Sequence, residues 1–202
     1  GPVVVFGPNN FPFAFNSAAG GDFAAAIAAG NPVIAKANTG HPGATKMFAE
    51  AAFEAVKASG LPSGMVQLLY RTPRDVGLKL VSHPLVGATG FTGSRFAGLN
   101  LKAAADQAGK PIYLEMSSVN PIFVLPGILQ ERSSEVAADL FNSCALGAGQ
   151  FCTNPGLVVV QEGELSDAFA ESVATLFADS EPGTLLGASG LQSISEAVDT
   201  LT

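Results

Sequence analysis

A chain of 202 residues with 48% hydrophobic and 13% charged side chains has enough apolar material for a substantial core and too little charge for a solvated, disordered chain. The formal charge of −7 disfavours nucleic acid, whose binding leans on Lys and Arg contacts to phosphate, and no apolar run approaches the ~18 residues of a membrane span. Two cysteines, Cys144 and Cys152, make no disulfide framework, so a reducing, cytoplasmic setting is expected.

Short β-branched runs at Val3 to Phe6, Pro32 to Ala35, Met65 to Leu69, Val86 to Thr89 and Pro111 to Leu114 read as strands separated by Ala-rich helical stretches. Phe11 to Ala29 is expected as a helix stopped by Gly30-Asn31-Pro32, and Pro42 to Ser59 as one stopped by Gly60-Leu61-Pro62. Ser94 to Ala108 and Glu131 to Leu146 complete the expected helices. Strands joined by helix-length crossovers form a parallel sheet, which places the chain in the α/β class. Pro121 to Leu125 and Leu157 to Gln161 suggest a second unit, with the handover near Leu125 to Gln130. The tail holds Gly183, Gly187 and Gly190 without an obvious final strand, and the chain reads as an internal piece of a longer one.

Charge is uneven along the chain: residues 1 to 132 carry ten basic against seven acidic side chains, and residues 133 to 202 carry ten acidic and no basic ones. The basic half could hold a small anionic ligand, while the acidic half reads as a solvated face.

In an open parallel sheet the loops after the strands are where ligands sit. Asn10, in Gly7-Pro8-Asn9-Asn10-Phe11-Pro12, either caps the following helix or donates its amide into the cleft. The loop read after the fourth strand, Gly90-Phe91-Thr92-Gly93-Ser94-Arg95-Phe96-Ala97-Gly98, has Gly93 for close approach and Ser94 opening a helix, so it is either an anion site or an ordinary Ser-capped turn. Lys36-Ala37-Asn38-Thr39 stands where a doubly wound dinucleotide site meets the adenosine ribose. No Asp or Glu occurs at 36 to 39, so Lys36 and Thr39, helped by Arg74 or Arg71, could donate to a 2′-phosphate; Lys36 could equally extend into water. Glu115 closes an apolar run and is either a solvated rim residue or a general base. Cys152, in Gly149-Gln150-Phe151-Cys152-Thr153-Asn154-Pro155-Gly156, lies on a glycine-flanked loop as a packed thiol or a nucleophile. His41 and His83 precede prolines and read as surface turn residues.

Asn10-Phe11-Pro12, Lys36, Phe91-Thr92-Gly93-Ser94 with Gly98, Glu115 followed by Asn120-Pro121, and Gly149-Gln150-Phe151-Cys152 resemble, in order and spacing, the NAD(P)-dependent aldehyde dehydrogenases. The resemblance covers Gly1 to about Val160, and Lys36 to Pro42 with Phe151 to Gly156 look most like the α-ketoglutaric semialdehyde and fatty aldehyde dehydrogenase branch. It implies a Rossmann-like dinucleotide-binding domain over residues 1–125 and part of a catalytic domain over 126–202. It also implies oxidation of a small-molecule aldehyde to the acid by the full-length protein. Cys152 would be the nucleophile, Asn10 with the Cys152 N–H the oxyanion donors, and Glu115 the base that activates water. Lys36, Thr39, Gly93, Ser94, Gly98 and Arg74 would hold the cofactor, with NADP favoured and NAD the alternative. No metal, nucleic acid or membrane partner is implied, and the full-length protein would be a homo-oligomer.

The family's Glu-Leu-Gly-Gly-Lys-x-Pro is here Glu115-Met116-Ser117-Ser118-Val119-Asn120-Pro121, with two serines for the paired glycines. The family's downstream Glu-x-x-Phe-Gly-Pro motif does not occur, so the 202-residue chain alone is expected to bind the adenosine half weakly and not to turn over. Three alternatives stand beside this reading. They are a CoA-acylating relative, which tends to lack a Glu at position 115, a catalytically silent scaffold, and a cysteine hydrolase needing a His partner.

Overall fold

The computed structural model describes Gly1 to Leu201. The chain divides into two compact units, Gly1–Ser117 and Ser118–Thr202. The division expected at 125/126 thus falls inside the second unit, because Pro121–Val124 pairs with Leu157–Val160 and so belongs with it. Thr202, the last residue of the expected second domain, lies outside the described residues.

The first unit is an α/β layer structure. Strands β1 (Val3–Phe6), β2 (Val33–Lys36), β3 (Val66–Leu69), β4 (Ala88–Gly93) and β5 (Ile112–Met116) form one parallel sheet in the order β3-β2-β1-β4-β5. Helices α1 (Gly21–Ala28), α2 (Pro42–Ala58), α3 (Arg74–Ser82) and α4 (Arg95–Gln107) provide the crossovers. Alternate residues of each strand point to opposite faces. Val5, Val33 and Ala35 pack with Ala26 of α1 and Ala49 of α2, whereas Phe6, Phe91 and Leu114 pack with Val81 of α3 and Leu101 and Ala105 of α4. Val4, Val33, Val66 and Val81 are fully buried; removing each such side chain from water contributes ~1.5–3 kcal/mol, which makes the sheet a rigid base for its loops.

Three departures from the expected elements bear on the site. The helix expected over Phe11 to Ala29 is limited to α1, and residues 11–20 form successive turns. The cause is Asn16, fully buried: its Oδ1 accepts from Ala18 N at 3.0 Å, and its Nδ2 donates to Pro12 O at 2.8 Å and Thr45 Oγ1 at 3.1 Å. Those bonds offer the backbone an alternative to the helical ladder. Asn10 therefore does not cap α1, whose N-cap is Gly20.

Strand β4 runs through Gly93, so Gly90 to Gly93, expected as loop, are sheet residues paired to β5 as far as Gly93↔Met116. Helix α3 is the third departure. Its nine residues, interrupted by Gly77 and bounded by Pro73 and by His83-Pro84, carry too short an apolar period to be legible, yet Leu78 and Val81 bury against the sheet.

In the second unit, β6 (Pro121–Val124) and β7 (Leu157–Val160) are parallel neighbours. Helices α5 (Pro126–Ala145), α6 (Glu164–Ala178) and α7 (Ala188–Leu201) accompany them, and Val124, Leu129, Ala137, Leu140 and Phe169 form the core. Helix α5 starts five residues earlier than expected, with Pro126 in its first turn, and carries one non-helical residue, Arg132. Helices α6 and α7 were not expected; their sequences lack the basic last turn and C-terminal glycine that mark a helix end.

Candidate active site

At the carboxyl ends of β1 to β4 lies a cleft of about 380 Å³, lined among others by Gly7, Lys36, Asn38, Arg74, Gly93 and Ser94. It spans the reversal of strand order between β1 and β4, the crevice in which open α/β sheets bind ligands. The structure thus brings together Lys36, Arg74, Gly93 and Ser94, whereas Thr39 and Gly98 do not line the cleft.

Gly98 serves packing: a Cβ there would come within 2.6 Å of Met116 Sδ, so its absence lets α4 lie close on β5. Ser94 is the N-cap of α4, its hydroxyl accepting from Ala97 N at 3.4 Å, and this helix start lines the cleft through Ser94, Phe96 and Ala97. Arg74 stacks its guanidinium 5.0 Å from the Phe96 ring centroid, which gives that cation a preferred direction along the wall.

Lys36 ends β2 half-buried. Burial, and then the positive charge of Arg71, push its ammonium below the usual lysine range. The Arg71 charge thus reaches Lys36, and no carboxylate stands among residues 36 to 39 to offset it. An anion in the cleft would oppose the shift by favouring the charged ammonium.

The Asn10 loop is held from the β2–α2 connection. Asn38 Nδ2 donates to Gly7 O at 3.1 Å, and the His41 ring meets Pro8 O at 2.9 Å. Gly40 faces Asn9 so closely that a Cβ would clash with the Asn9 amide, and Gly40 N donates to Asn38 Oδ1 at 2.9 Å. His41 is therefore a half-buried tie rather than the surface turn residue expected, because the β1 loop folds over it. His83 is exposed, its Nδ1 accepting from Leu85 N in a local turn.

Glu115 lies within β5, opposite Thr92 of β4, on the face away from the Leu114 and Met116 core, and is exposed. Asp22, in the first turn of α1, shares its surroundings: a Cβ on Gly90 would sit 2.8 Å from Asp22 Oδ2. Burial and then the negative charge of Glu115 raise the Asp22 carboxyl above the usual carboxylate range. Nothing in the sequence pointed to Asp22; only the sheet brings it near a residue 93 positions away.

In the second unit, Cys152 is exposed and Cys144 half-buried, and burial raises the Cys144 thiol. A 3-10 turn over Leu146–Gly149 leads into its loop, with φ of +58°, +55° and +72° at Gly147, Ala148 and Gly149. Ala148 pays for that left-handed conformation, which glycine adopts freely. Gln150 fastens the turn, donating to Gly147 O at 2.9 Å and Thr184 O at 3.2 Å and accepting from Leu186 N at 2.8 Å. Across the loop, Asn120 Nδ2 donates to Cys152 O at 2.7 Å and Asn154 O at 3.0 Å. Among the described residues no group of three or more His, Cys, Asp or Glu could hold a metal ion, and no helix is long and apolar enough to cross a membrane.

The sequence profile described as "Aldehyde dehydrogenase family" matches residues 1–188. Alpha-ketoglutaric semialdehyde dehydrogenase 2 of Azospirillum brasilense is 47% identical over 92% of the chain and 36% of its own length. Alpha-ketoglutaric semialdehyde dehydrogenase of Acinetobacter baylyi is 41% identical over 100% of the chain and 38% of its own length. The chain thus spans little more than a third of either relative. Among solved structures, a glyceraldehyde-3-phosphate dehydrogenase from Methanocaldococcus jannaschii complexed with NADP superposes with a TM-score of 0.83 at 26% identity, over 98% of the chain and 44% of that protein.

Proposed function

The chain belongs to the aldehyde dehydrogenase family, and on that premise we propose that the full-length protein oxidises an aldehyde to a carboxylic acid with a nicotinamide dinucleotide, using Cys152 as nucleophile. The observation that carries this reading is the exposed Cys152 thiol on a loop tied at both sides, whereas burial raises the half-buried Cys144 thiol.

The first unit fits a dinucleotide at its adenosine end. Lys36, the Ser94 helix start and Arg74 border one cleft, with the Arg71 charge felt at Lys36, a donor set suited to phosphate oxygens. The positive charge at Lys36 and Arg71, with no acid at 36 to 39, favours NADP over NAD, and NADP is the ligand of the M. jannaschii structure.

In the proposed cycle the Cys152 thiolate adds to the aldehyde carbonyl carbon, and the oxyanion accepts hydrogen bonds from the Asn10 amide and the Cys152 N–H. The bound dinucleotide supplies the hydride acceptor. The thioester left on Cys152 is opened by a water whose proton Glu115 takes, and its exposure supports access to that water. The acid leaves and the thiol is restored. The two semialdehyde dehydrogenases make α-ketoglutaric semialdehyde the first substrate to test, and a homo-oligomer is proposed for the full-length protein.

Full-length protein incubated with NADP or NAD and a panel of aldehydes including that semialdehyde should yield the acid without CoA. Acid formation that survives Cys152→Ala overturns the mechanism, and acyl-CoA as sole product replaces it with the CoA-acylating alternative.

A further inference from the structure

Residues Ser118 to Asn120 lie flat along the nucleophile loop and tie it at every second residue. Asn120 Nδ2 has two protons and spends both on backbone carbonyls, Cys152 O at 2.7 Å and Asn154 O at 3.0 Å. Gly156 N donates to Val119 O at 2.7 Å, and a Cβ on Gly156 would sit 2.7 Å from that same oxygen, so the two segments are in close backbone contact. The Ser118 hydroxyl lies 3.0 Å from Asn120 Oδ1 and 3.1 Å from Cys152 O. It has one proton to give, shared between the amide oxygen that orients Asn120 and the carbonyl that Asn120 itself holds. Asn120 adopts φ +48°, a left-handed conformation that a non-glycine residue enters at a cost, and Asn is among the few side chains that tolerate it. The strain is maintained by three hydrogen bonds at the Asn120 side chain, two of them to the cysteine loop and one from Ser118.

We propose that Ser118 and Asn120 are positioning residues for Cys152: by holding its carbonyl oxygen they fix the Cys152–Thr153 peptide plane, and so the backbone from which the thiol projects. The proposal rests on the reading of Cys152 as nucleophile. Position 118 is where this chain departs from the paired glycines of the resembling pattern, and the departure has a use, because a glycine has no hydroxyl to offer Cys152 O. A nucleophile released from such a tie still exists and still reacts, but from a broader set of directions, and misplacement by ~1 Å is enough to cost on the order of 100-fold in rate.

The test uses the full-length protein and four readouts: kcat, the KM values for aldehyde and cofactor, the rate constant for alkylation of Cys152 by iodoacetamide followed by peptide mass spectrometry, and Tm. Asn120→Asp keeps the shape and the tolerance for positive φ but turns an oxygen toward Cys152 O. It should lower kcat roughly 10- to 100-fold with KM values within about twofold, and change the alkylation rate. Ser118→Ala should lower kcat by about threefold to tenfold, and Ser118→Thr, which restores the hydroxyl, should recover most of that loss. Retention of kcat and alkylation rate within about twofold in both Ser118→Ala and Asn120→Asp overturns the proposal, as does a Tm loss with no kinetic effect. If Asn120→Asp does not fold, Ser118→Ala, at an exposed position, decides the question. Acid formation surviving Cys152→Ala would defeat the nucleophile reading instead, and the alkylation rates would then report the tie on their own.

Discussion

The His41 Nε2 lies 2.9 Å from the Pro8 carbonyl oxygen, across 33 positions of sequence. A carbonyl only accepts, so Nε2 carries the proton, and Nδ1 is left facing the Thr45 hydroxyl at 3.5 Å. With Asn38 on Gly7 O, the turn after β2 thus holds the loop that presents Asn10. His41→Ala should lower stability by ~0.5–1.5 kcal/mol, read as Tm, and speed hydrogen exchange at Asn9 and Asn10. Unchanged exchange there would show that Asn38 alone holds the loop.

Lys36 is expected to distinguish the two dinucleotides. Losing a charge-assisted hydrogen bond to a 2′-phosphate costs ~1.5–3 kcal/mol, so Lys36→Gln should raise the NADP dissociation constant roughly 10- to 100-fold and leave that for NAD within a fewfold. Titration calorimetry of both cofactors checks this, and an equal loss for both would place Lys36 at the ribose hydroxyls instead.

Asp22 has a folded-state carboxyl raised above its ordinary value by burial and by Glu115. The native chain therefore holds this proton more tightly than the unfolded one, and the ionised carboxylate weighs against the fold once pH rises past the ordinary Asp range near 3.8. Asp22→Asn should be at least as stable as the parent at neutral pH, with the difference shrinking as pH falls below that range. Tm measured from pH 3 to pH 8 tests the sign; a variant less stable at neutral pH would mean that the carboxylate has a favourable partner.

Two glycines should respond unequally to alanine. A Cβ at Gly98 would meet Met116 Sδ at 2.6 Å, the far end of a flexible side chain, whereas one at Gly7 would meet Phe15 O at 2.7 Å and Ser17 N at 2.9 Å, both backbone. Gly98→Ala should cost ~1–3 kcal/mol, and Gly7→Ala more, because backbone cannot turn aside. Denaturant unfolding of the two variants gives the comparison.

Much of the first unit was legible in the chain. The apolar runs of β1, β2, β3 and β5 lie within two residues of their expected positions, since short apolar segments between glycines and prolines have few other uses. Helix α2 was equally clear, with Pro42 in its first turn and Gly60 at φ +65° just past its end. Phe11 to Gly20 misled because their apolar composition is helical, and only the burial of Asn16 against Thr45 reveals why the chain turns instead.

The sequence by itself determined the α/β class, the order of the strands along the chain and the residue types offered for chemistry: Cys152, Glu115, Asn10, Lys36 and Ser94. These are local properties, readable from periodicity, turn residues and motif spacing. Only the tertiary structure decided which side chains meet. His41 under Pro8, Asp22 over Gly90 and Asn120 on Cys152 O are pairings across 33, 68 and 32 positions. They arise because parallel pairing and helix packing set segments distant in sequence side by side, a consequence of folding the whole unit that no local pattern records.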